Sequence, residues 1–211
     1  GGTKLTLAQR YHFIAGWLPW IADGLALVFV AGALLCTVLM TAAPKYFDLP
    51  MASLASVALG LFFVKTLKTL LIYPERVSQK RRHAWMASIA GLALSHTVGK
   101  AVISGLFTSG APFLRTPKME EGARLKAVLA IASEEIVIML ALWAAIVATA
   151  ISWGLDEPVA QVWMFMLAVQ SLPYLATLVT ATVSAMPAKK PVLAPVKTPV
   201  KAPATDKAKI A

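Results

Sequence analysis

Between Ser109 and Lys126 the chain reads SGAPFLRTPKMEEGARLK. Gly110, Pro112 and Pro117 break helix on either side of a short extended run. Within that run Thr116 offers a hydroxyl, and Arg115 and Lys118 offer cations. Such a set suits a phosphorylated ligand, because the cations neutralise charge while the hydroxyl orients the group. On spacing alone, an ordinary basic juxtamembrane loop resting near anionic lipid heads explains the same residues. A second set is Trp17, Trp20 and Asp23, spaced i, i+3 and i+6, which fall broadly along one side of a helix. A third is the adjacent pair Glu134-Glu135, which cannot both face inward on one helix.

Other chemistry is excluded by what the chain lacks. It has no GxGxxG after a strand, no Walker loop, no HExxH and no Cys/His set with metal spacing. No Asp-x-Asp pair is present, so a divalent metal has no evident home in these residues. His12, His83 and His96 are far apart; the first two read as interface residues and His96 as part of a polar helix face. A lone cysteine, Cys36, forbids an intrachain disulfide. Nothing points to a nucleic-acid partner.

The elements that carry these residues are set by composition. Of 211 residues 58% are apolar and only 14% charged, against roughly 25% charged in soluble domains. The expected class is an all-α membrane protein. A spanning helix needs about 20 apolar residues, and five segments approach that: about 17–43, 49–72, 84–108, 127–152 and 158–186. Asp23 lies inside the first, where facing lipid would cost about 3 kcal/mol, so it is expected to face the bundle interior. Lys65 and Lys68, in the last turns of the second, are expected to snorkel to the interface. One of Glu134 and Glu135 is expected to pair with Arg124 or with a basic residue of the 73–83 connection. Pro173 predicts a kink in the fifth.

Charge decides how many segments cross. The connection YPERVSQKRRH at 73–83 is strongly basic and should be cytoplasmic. If 84–108 spans, ten further basic residues, four in the 109–126 region and six in the tail, finish outside. If it lies along the cytoplasmic interface, only Lys45 of the 20 basic residues faces outward. The second arrangement obeys the positive-inside rule, so four transmembrane helices plus amphipathic interface helices are predicted. The resulting organisation is an interface helix at 1–15, a transmembrane region at 16–186, and a disordered tail at 187–211. That tail is rich in Pro, Ala and Lys, lacks aromatics and is expected to remain cytoplasmic.

The order interface helix, two spans, basic loop, amphipathic helix, PFLRTPK loop and two spans resembles the C-terminal membrane region of processive family-2 glycosyltransferases. These are the cellulose-, curdlan- and β-glucan-synthase type of bacterial inner-membrane enzymes. In that family a gating loop of pattern F-x-V-T-x-K closes over the nucleotide-sugar. Phe113, Thr116 and Lys118 match the pattern; Arg115 stands at its Val position and makes the loop, here 109–125, more basic. The SHTVGKA…PFLRTPK combination looks closest to the β-1,3-glucan branch. The resemblance runs to Met186 and leaves out the tail.

What it implies is a channel and gate that guide a nascent polysaccharide, a β-glucan polymer made from UDP-sugar, across the membrane. Trp17, Trp20 and Asp23 are the candidate conduit: aromatic faces suit the CH-rich side of a sugar, and a carboxylate suits its hydroxyls. An interfacial aromatic belt would use the same tryptophans. The family's aspartate pair, general base and QxxRW motif do not occur here. The resemblance places them upstream, with Mg or Mn, so no catalytic residue and no cofactor is assigned within this chain. The opening GGTK carries no initiator Met, and the chain is expected to be part of a larger enzyme with an upstream catalytic domain. A small self-contained transporter or assembly subunit, and a nonprocessive lipid glycosyltransferase, are the competing readings.

Overall fold

The computed structural model describes residues 5–49, 52–77, 80–108 and 129–186. Among them all regular secondary structure is helical. The long helices are α1 (Leu7–Ala42), α2 (Ala52–Arg76), α3 (Arg81–Phe107), α4 (Ser133–Trp153) and α5 (Pro158–Ala185). Residues 1–4, the 109–125 loop with Phe113, Arg115, Thr116 and Lys118, Arg124, and the 187–211 tail lie outside the described residues.

Local sequence sets the ends. Thr6 and Gln9 form a capping box at α1: Thr6 Oγ1 accepts from the Gln9 amide at 3.3 Å, and Gln9 Oε1 accepts from the Thr6 amide at 2.9 Å. Gly154, at φ 81°, ends α4 in a conformation that favours glycine. Pro158 opens α5 at its first turn, where a missing N–H costs nothing. The stretch read as an interface helix leads into the first span without a break: α1 is one continuous helix through Pro19. α4 begins at Ser133, after a helical turn over 129–131, and Ala127 lies outside the described residues. Pro173 lies inside α5, which continues through it.

The packing is that of a membrane protein. Large apolar side chains such as Leu18, Val38, Val64, Val147 and Ile151 face outward, while Ala33, Ala55, Ala58, Ala145 and Ala160 are buried at helix contacts. Small residues let backbones approach where lipid removes the hydrophobic drive for association. Two buried threonines keep their hydroxyls within their own helix: Thr37 donates to the Ala33 carbonyl and Thr149 to the Ala145 carbonyl, each at 2.8 Å. Trp163, 2% exposed, donates its indole N–H to Thr37 Oγ1 at 3.0 Å and joins α5 to α1. Trp163→Phe keeps most of the ring volume and loses that bond, so a loss of about 1 kcal/mol is expected. The unfolding midpoint of the full chain in mild detergent reads it.

The apolar core is built by α1, α2, α4 and α5, with Val30, Met40, Ala58, Leu142, Trp163 and Leu167 among its members, and takes nothing from α3. By length and composition all five helices could cross a membrane, α3 being the least apolar. The buried residues of α3 are small or polar: Ala84, Ser88, Ala93, Ser95, His96 and Gly99. Its side chains reach Lys65 of α2, Glu134 in the first turn of α4 and Tyr174 of α5, while its backbone approaches Asp23 of α1 at Gly99 and accepts from Thr177 of α5 at Ala93. Those partners share one end of the four-helix core, remote from the Thr37–Trp163 contact.

Candidate functional site

Three residues of α3 gather the polar chemistry. Lys65 of α2 donates to the Asp23 carboxylate of α1 and, at 2.5 Å, to the Ser95 hydroxyl of α3. The pair is largely withdrawn from the surface, with the Asp23 side chain 11% and the Lys65 side chain 27% exposed. One turn further along α3, Lys100 donates to Glu134, and His96 Nε2 lies 3.4 Å from the same carboxylate oxygen. The His96 ring meets the Tyr174 ring edge-on, with centroids 5.5 Å apart. Gly99 permits this closeness: an added Cβ would stand 2.7 Å from the Asp23 carbonyl oxygen. Ser95, His96 and Lys100 therefore tie α3 to α2, α4 and α5, and Lys65 and the close approach at Gly99 extend the tie to α1.

Several expectations meet these contacts. Asp23 faces the interior, as its cost in lipid requires. Lys65 does not snorkel; it turns inward, because a buried carboxylate within reach outweighs the path to water. Glu134 pairs with Lys100 and His96 of α3 rather than with a residue of the 73–83 connection. Glu135 is buried, as adjacent positions on a helix demand. His96 is buried on the packed face of α3.

The structure divides the candidate conduit. Trp17 and Trp20, about half exposed, line a cleft of about 1000 Å³ between the first turns of α1 and the last turns of α3. His12 and Phe13 extend its aromatic wall, and Val98, Ala101 and Gly105 form the opposite side. Asp23 instead borders a separate cavity of about 70 Å³ with Lys65, Ser95, His96, Gln170 and Tyr174. The i, i+6 step carries Asp23 about 120° around the helix from Trp17, enough to turn it from the cleft into the bundle.

Sequence reasoning missed Lys65, Lys100 and Gln170 as members of the site. The available signal was Asp23: a carboxylate inside a bundle needs a cation, and Lys65, in the last turns of the second apolar segment, is one. Gln170 sits in an uncharged segment whose pattern does not mark it. Among the described residues no group of three or more His, Cys, Asp or Glu is placed to hold a metal. No family model, curated protein or solved structure matches the chain.

Proposed function

We propose that the chain is the membrane channel and gate of a larger glycosyltransferase that polymerises sugar from a UDP-sugar and passes the polymer across a bacterial inner membrane. The observation that carries this reading is the aromatic cleft. Its volume lies in the range of ligand sites, and Trp17, Trp20 and Phe13 present stacking faces beside a wall of small side chains. The cleft lies beside the end of α3, where the chain continues into PFLRTPK. In this proposal α3 lies along the cytoplasmic interface, four helices cross, and the tail stays cytoplasmic. Thr116 and Lys118 then meet the nucleotide-sugar phosphates from the side on which UDP-sugars occur. The catalytic groups and their metal belong to the upstream domain.

The experiment is UDP-sugar incorporation by membranes carrying the complete open reading frame. Losing a hydrogen bond to a charged phosphate costs about 1.5–3 kcal/mol, so Thr116→Ala and Lys118→Ala are each expected to lower polymer synthesis roughly tenfold or more. Membrane levels should be unchanged. Trp17→Ala with Trp20→Ala should shorten the product. Single-sugar lipid products would favour the nonprocessive enzyme. Unchanged synthesis in both loop variants would remove the gating role. The buried Asp23–Lys65 pair favours a second reading, a small self-contained transporter, which the absence of any upstream catalytic sequence and of sugar incorporation would select.

A further inference from the structure

The cavity between α1, α2, α3 and α5 is bordered by polar atoms that the protein itself leaves unsatisfied. Nδ1 of His96 and both amide atoms of Gln170 are buried with no hydrogen-bond partner among the described residues. Both side chains line the cavity of about 70 Å³ that Asp23 and Lys65 also border. His96 is only 7% exposed, and its Nε2 is directed at Glu134. In the neutral ring an Nε2–H donated to that carboxylate leaves Nδ1 as an acceptor.

Buried amides and ring nitrogens are nearly always paired, either with protein or with ordered water. A site accepts water when it is roomy, at roughly 10–15 Å³ per molecule, and offers two to four polar partners. This one meets both conditions. Its formal charges offset, Asp23 against Lys65, so an ion is not demanded. It presents donors from Gln170 and Lys65 and acceptors from Gln170, Asp23 and His96, a mixture that suits a molecule able to donate and accept. Its volume is far below the ~300 Å³ at which sites for larger organic ligands begin.

We infer that this cavity is an internal water-binding site. Ordered waters bridge Gln170 and His96 to the Asp23–Lys65 pair. They join it to the His96–Glu134–Lys100 group, so that one hydrated polar layer runs from α1 and α2 through α3 to α4. The site gives the charges that hold α3 a solvated neighbour inside an apolar bundle. It stands whatever the activity of the complete protein.

Hydroxyl-radical footprinting of the full chain in lipid nanodiscs tests it, because radicals formed from internal water label the side chains beside that water. Tyr174 borders the cavity and Trp163 does not, yet both are buried, at 4% and 2% exposure. Tyr174 is expected to be modified several-fold faster than Trp163. Gln170→Leu should reduce that labelling several-fold and leave Trp163 unchanged. Equal protection of Tyr174 and Trp163 would overturn the site. So would a rise in the unfolding midpoint of Gln170→Leu, the signature of a dry cavity relieved of two orphaned atoms; a hydrated one loses water contacts and its midpoint falls.

Discussion

Lys65→Met alone is expected to destabilise the full chain by about 3 kcal/mol, whereas Lys65→Met combined with Asp23→Asn recovers most of that loss. Removing one partner strands the other charge in low dielectric, which typically costs 3–5 kcal/mol, while replacing both removes the stranded charge. The 27% exposure of the Lys65 side chain places the effect at the lower end of that range. Ser95 adds to it, since its hydroxyl accepts from the same ammonium. Unfolding midpoints of the two single variants and the double variant in mild detergent give the coupling directly, expected at about 2 kcal/mol. A Lys65→Met loss below about 0.5 kcal/mol, the scale of an exposed pair, would mean that the contact is a surface one.

Two glycines of the same helix are expected to respond in opposite directions. Glycine inside a helix is about 1 kcal/mol less favourable than alanine. Gly91 has open space where a Cβ would go, so Gly91→Ala should raise stability by up to about that amount. At Gly99 the new Cβ would meet the Asp23 carbonyl oxygen at 2.7 Å, and a backbone atom cannot swing away. Overpacking costs about 1–3 kcal/mol, so Gly99→Ala should be net destabilising despite its better propensity, and Gly99→Val more so. The same change would push α3 from α1 and loosen the Asp23–Lys65–Ser95 contacts. Equal stabilisation by both alanines would show that α3 does not pack where the Gly99 contact puts it.

Helix number, helix class and the inward Asp23 were legible because they follow from length and from the cost of a carboxylate in lipid. Boundaries were less so. The α1 sequence holds Pro19 between Trp17 and Trp20, and the helix runs through it. The inward turn of Lys65 escaped because snorkelling and pairing leave the same sequence signal; only proximity to Asp23, 42 residues away, decides. Glu134 was recognisable as needing a cation, but Lys100 and His96 come to it by the approach of α3 to the start of α4. Gln170 carries no periodic or charge signal at all. The tryptophans and Asp23 appear as one stripe in sequence and face two different cavities in space, since six residues do not close a whole number of turns.

In the proposed topology α3 returns to the face from which it starts, and PFLRTPK lies on the side of the nucleotide-sugar. Single cysteines at Thr108 and Asp48, in a Cys36→Ser background, test it with a membrane-impermeant thiol reagent applied to intact cells. Both positions are exposed, one just after α3 and the other between α1 and α2. Asp48→Cys is expected to react from outside and Thr108→Cys only after the membrane is opened. Labelling of Thr108→Cys in intact cells would make α3 a fifth crossing, put the loop on the wrong face for a UDP-sugar, and contradict the proposed function together with the topology.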